Sequence, residues 1–208
     1  MFGCAARNVA AGVFVAAMSL AIPAWSTTIT FSSLPDEGAA LTSYTENGIT
    51  ATAGSGTLGW FTSPGSAHVD DSGTGFTADI TFTTGGIFDA VGFTLTSLGY
   101  SMLSAPGPVT DNILVTGYVG GSLVAGANYT LSSVAGAVQN ILLGTAFTGI
   151  DALTISLLYP RNVTFCDAPC GHFDLNDVTL AAVPLPASAL MLGVAALGLG
   201  LVARRRKI

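Results

Sequence analysis

Positive charge is almost missing from the middle of this chain. Between residues 27 and 182 the single Lys or Arg is Arg161, set against all twelve acids of the sequence, a formal charge of −11. A surface of that sign repels nucleic acid and anionic lipid, so no nucleic-acid partner is expected. Its acids serve solubility or attract divalent cations. Histidine occurs only as His68 and His172. With Asp70 or Asp174 these are the sole candidates for an acid–base pair. The G-x-S-x-G, H-E-x-x-H and phosphate-loop signatures are absent, so no enzymatic activity is expected. Also missing between the two ends is any sustained 3.6-residue apolar stripe, which excludes a helical bundle.

What is present is period-two alternation. Phe76, Ala78, Ile80 and Phe82 alternate with polar residues in FTADITF (76–82), as do Val91, Phe93 and Leu95 in VGFTL and Leu153, Ile155 and Leu157 in LTISL. Each reads as a half-buried strand. Shorter strands are expected at 28–31, 48–53, 113–118, 123–125 and 129–131. Asn47-Gly48, Gly85-Gly86, Gly120-Gly121 and Gly126 mark the turns between strands. VAGAVQNILLG (134–144) reads as loop, then strand. In HFDLNDVTL (172–180), Phe173 and Leu175 share one parity and Val178 and Leu180 the other. All four reach one core only if a bulge at Asn176-Asp177 absorbs a residue. Many short strands with Gly-rich turns predict an all-β, antiparallel β-sandwich over residues 27–182.

The two ends differ from this body. Residues 1–26 carry Arg7, an apolar stretch at 9–22 and the small-x-small site Ala24-Trp25-Ser26. This is the pattern of a cleaved signal helix that passes the Sec translocon, with Ser26 as its last residue. At the other end, 187–203 is uncharged and ends in Arg204-Arg205-Arg206-Lys207. As a helix rising about 1.5 Å per residue it would be roughly 25 Å long, near the lower limit for a transmembrane helix. The basic cluster would hold its end in the cytoplasm and leave the body outside. Val183-Pro184-Leu185-Pro186-Ala187, that apolar segment and the terminal basic cluster together resemble the VPLPA variant of PEP-CTERM sorting signals. The resemblance covers 183–208. It implies an exported bacterial protein, held as a membrane-anchored intermediate and processed by an exosortase, a membrane-embedded protease. It also implies a final place at the cell surface or outside the cell, in a system linked to exopolysaccharide and biofilm. Two prolines keep the segment extended, as a protease site requires.

FDAVGFTL, GIDALTISL and HFDLNDVTL in turn resemble strand motifs of PEP-CTERM proteins with jelly-roll, galactose-binding-like domains. That likeness implies one structural calcium between an early loop and the last strand, with Glu37, Glu46 and Asp174 as candidate ligands. Solvated turn acids are the competing reading of the same residues. Cys166 and Cys170 in FCDAPCGH are the only cysteines left after leader removal. In an oxidising compartment they favour a disulfide over a zinc site completed by His172. Trp60, Phe61, Tyr100 and Tyr118 lie near turns, as a sugar-stacking platform or as core. The expectation is a non-enzymatic surface or matrix protein. The alternative is a carbohydrate-binding module, calcium-dependent, acting on exopolysaccharide.

Overall fold

The computed structural model describes residues 25–61, 63–70, 77–99, 112–158 and 172–183. They belong to one compact unit, Ala24–Val183. Eleven strands follow in order: β1 (Ser26–Ile29), β2 (Ser43–Glu46), β3 (Ile49–Ala53), β4 (Ala67–Asp70), β5 (Asp79–Thr83), β6 (Phe88–Gly99), β7 (Asn112–Val119), β8 (Ser122–Thr130), β9 (Val138–Leu142), β10 (Ala152–Leu158) and β11 (His172–Ala182). The described helices are two 3₁₀ turns, Glu37–Ala39 and Thr145–Phe147. None of the described helices is long and apolar enough to cross a membrane. The expected signal helix and the transmembrane helix at 187–203 lie outside the described residues.

The protein is all-β, with two antiparallel sheets. One sheet runs β1-β11-β6-β9, with β4 on the β1 side of β11; the other runs β2-β3-β5-β10-β7-β8. Alternation fills the space between them. Phe93, Leu95, Phe173, Leu175, Val178 and Leu180 point inward from the first sheet. Ile80, Phe82, Ile113, Val115, Leu153 and Ile155 do so from the second, and all are buried. Phe31 and Phe82 meet edge to face at 6.5 Å, a geometry aromatic quadrupoles favour.

The central β6–β11 pair has three register shifts, at His172/Phe173, Leu175/Asp177 and Thr179/Leu180, and the latter two decide which side chains reach the core. On β11 the register steps from Leu175↔Leu95 to Asp177↔Thr94, so Asn176 is the extra residue. Phe173, Leu175, Val178 and Leu180 are therefore all 0% exposed, as the parity of the sequence requires. On β6 the step from Thr179↔Gly92 to Leu180↔Ala90 leaves Val91 without a register partner on β11. This corrects the assignment of Val91 to the face of Phe93 and Leu95. The bulge turns Val91 outward, and Ala90 and Phe88 take the inner positions.

The β2–β3 hairpin turns at Asn47-Gly48, with φ of 52° and 77°, as this pair of residues predicts. The strand expected at 28–31 is shifted to Ser26–Ile29. Phe31 adopts φ 57°, which ends the strand while its ring stays in the core. The pieces expected at 123–125 and 129–131 are one strand, β8, bulged at Val124 opposite Gly117/Tyr118.

Candidate functional site

Sheet alternation sends Ala67 and Val69 into the core and His68 to the outer face of β4. In β11 it sends Phe173 and Leu175 inward and Asp174 outward. His68 and Asp174 are direct cross-strand neighbours. His68 Nδ1 lies 2.9 Å from Asp174 Oδ1, and the two side chains are only 3% and 6% exposed. Such burial on an outer face depends on cover. The ring of Phe61 lies over His68 at 5.0 Å and is itself 52% exposed. His172 occupies the register position opposite Asp70. Both histidines, Asp70 and Asp174 thus lie on one short β4–β11 ladder.

The segment before β4 is held on both sides. Leu58 N–H donates to Leu41 O (2.6 Å) and Trp60 N–H to Pro35 O (3.1 Å), and His68 N–H donates to Gly59 O (2.8 Å). Gly59 presses so closely on the backbone of Glu37 that a Cβ there would collide with it. This contact sets Glu37 beside the Trp60 backbone, where its N–H donates to Trp60 O at 3.3 Å.

Glu46 does a different job. Its Oε1 accepts from the hydroxyls of Thr30 (2.8 Å) and Ser32 (3.1 Å), and its Oε2 from Thr30 N–H (3.1 Å) and the Tyr44 hydroxyl (3.2 Å). Burial pushes this carboxyl up, but the donors from Thr30, Ser32 and the Phe31 backbone outweigh it and hold it below the usual carboxylate range. Burial, with the nearby Glu46 charge, raises the Tyr44 phenol.

The three acids expected to bind calcium, Glu37, Glu46 and Asp174, lie in separate settings in this structure. Among the described residues no three His, Cys, Asp or Glu side chains form a group able to hold a metal ion. Asp174 is turned onto His68, and Glu46 is filled with hydroxyl and amide donors on the β2 edge. Glu37, Glu46 and Asp174 are therefore not one such group. Of the other expected site residues, Ser26 begins β1 opposite Ala181, and Val183 follows β11, 37% exposed. Pro184, Leu185, Pro186, Ala187, Cys166, Cys170 and the basic cluster 204–207 lie outside the described residues, as does Tyr100. Trp60 is half-buried. Tyr118 is also half-buried in β7, its hydroxyl 3.3 Å from that of Thr116. Among the described residues of the expected platform, Phe61 is the exposed one. Sequence reasoning missed the Glu46 clamp, because Thr30 and Ser32, which supply three of its donors, sit 16 and 14 residues away on another strand's exit.

No protein-family model matches the chain, and no curated protein matches it in sequence. Among solved structures it is distantly similar to one described as "X-ray structure of GH31 CBM32-2 bound to GalNAc". Identity is 14% and the TM-score 0.27, over 76% of this chain and 93% of the other. A likeness this loose carries no argument about fold detail or ligand.

Proposed function

We propose that the chain is an exported, non-enzymatic surface or matrix protein whose tail is sorted by an exosortase-type protease. In this reading the body is a jelly roll of the galactose-binding-like kind. Its last eight strands divide as β4-β11-β6-β9 and β5-β10-β7-β8, the two interlocked four-stranded sheets of that architecture. The observation that carries the sorting reading is the pairing of the first strand with the last. Ser26 is opposite Ala181, and Ala182 N–H donates to Trp25 O at 3.1 Å. The body is thus closed at the residues where the leader pattern ends and the Val183–Ala187 motif begins, and both ends leave from one end of one sheet. A domain closed in this way is a passenger that leader and tail can be cut from without breaking its core. The test is substitution of Pro184 and Pro186 by Ala in the native host. Export should proceed and a full-length, membrane-bound form should accumulate. Equal processing of variant and wild type would refute the reading.

The exposed ring of Phe61, fixed against His68 and next to half-buried Trp60, favours carbohydrate binding as a second reading. Sugars stack on aromatic faces. Binding to exopolysaccharide that is lost in Phe61→Ala, with unfolding unchanged, would support it. Wild-type protein that binds no glycan would end it.

A further inference from the structure

The sheet edges of this protein are treated unequally. An uncovered edge strand offers free N–H and C=O groups to another chain, and proteins usually guard it with charge, proline or a covering segment. On one side of the sandwich every edge is guarded. The β1 edge is capped by Asn47, whose Nδ2 donates to Thr28 O at 2.9 Å while its own carbonyl accepts from Thr27 Oγ1 at 3.2 Å. The β4 edge is covered through His68 N–H and Gly59 O. The β2 edge carries Glu46. On the other side the sheets end in β8 and β9, and residues 112–150 contain no Asp, Glu, Lys, Arg, His or Pro. Among the described residues no strand pairs with the outer edge of β9.

We propose that β9 is a self-association edge, and that its partner is β9 of a second copy of this chain, paired antiparallel across a two-fold axis. Charge decides the partner and the place. Two bodies of formal charge −11 repel one another over most of their surface, and the 112–150 segment adds no carboxylate of its own. The acids that touch it, Asp151 and Asp89, accept from the Gly120 N–H (2.6 Å) and the Gly149 N–H (2.7 Å), away from the β9 strand. The strand also complements itself. Val138 and Leu142 are 67% and 75% exposed on the outer face, and Asn140 lies between them. Antiparallel pairing centred on Asn140 sets each Val138 against Leu142 of the other copy and Asn140 against Asn140, an isologous contact. β9 is regular over all five residues against β6, so its backbone is straight enough to accept a new neighbour. β8 is the poorer edge, since the bulge at Val124 breaks it. The result is a first sheet continuous across two molecules, independent of whether the tail is sorted.

Sedimentation equilibrium on residues 25–183, which hold the described core and its closing strand pair, tests this. Wild type should show a reversible monomer–dimer equilibrium, strengthened by added salt because salt screens the net repulsion. Val138→Lys with Leu142→Lys should weaken association more than about tenfold, as like charges brought together at an interface do. Its unfolding midpoint at low protein concentration should not change. Thr45→Lys on the guarded β2 edge should associate as wild type does. A wild type that is monomeric at every concentration, a double-lysine variant that still dimerises, or loss of the dimer in Thr45→Lys would each overturn the proposal.

Discussion

Deleting Asn176 tests the bulge directly. Side chains alternate along a strand with period two. With Asn176 present, Phe173 and Leu175 have one parity and Val178 and Leu180 the other, and the bulge reconciles them. Without it the four fall at every second position of an unbroken strand, and Leu175, Asp177 and Val178 keep Leu95, Thr94 and Phe93 as partners. All four side chains are 0% exposed in the intact protein and should stay buried. The deletion then loses the bond from Asn176 Nδ2 to Thr96 Oγ1 (2.9 Å), a change of about 1 kcal/mol. Asn176→Ala keeps the bulge, loses the same bond and should cost a similar amount. If the strand ran without a bulge, the deletion would instead flip one half of it. Two buried apolar side chains would turn to solvent at about 1.5–3 kcal/mol each, roughly 3–6 kcal/mol together. Small domains hold about 5–15 kcal/mol in total, so that loss would leave the domain barely folded. Urea unfolding of residues 25–183 measures both variants. A deletion variant that loses about 3 kcal/mol or more would refute the reasoning.

Glu46→Gln should remove an acid-sensitive component of stability. The folded pKa is lowered, so that component is present above the unfolded value and lost as pH falls through the folded one. Unfolding midpoints of wild type and variant should converge in acid and separate toward neutral pH; parallel curves would contradict this. Cys166 and Cys170 should be linked in exported protein, seen by unreduced mass spectrometry as two hydrogens fewer than the dithiol; free thiols or stoichiometric zinc would contradict it. Calcium binding is tested by thermal unfolding in calcium, magnesium and chelator. A calcium-only rise in melting temperature that is lost in Asp174→Ala would support a site at the last strand; no difference among the three conditions would leave these acids to their structural roles.

The elements legible in the sequence are those whose local pattern and tertiary role agree. Ile80 and Phe82, and Leu153, Ile155 and Leu157, alternate because one face of each strand packs on the opposite sheet. Asn176 was legible because two parities in one strand admit few solutions. The missed elements lack such a pattern. β2 (SYTE) and β4 (AHVD) are four-residue, mostly polar pieces at sheet margins, formed by their neighbours rather than by propensity. Val91 sits in perfect alternation, and only the partner strand's register expels it. The His68–Asp174 contact was available as a pairing of residue types, but its ladder spans 106 residues, a separation no local signal encodes. The clamp on Glu46 depends likewise on β1 leaving its strand beside β2.

The central claim is that the Val183–Ala187 motif is a processing site on an exported body. Intact-mass measurement of the form recovered outside the cell tests it most directly. The account predicts a chain that begins near Thr27, ends within or beside residues 183–187 and lacks Arg204–Lys207, with the longer form confined to membranes. Extracellular protein that still carries the full basic tail would contradict it.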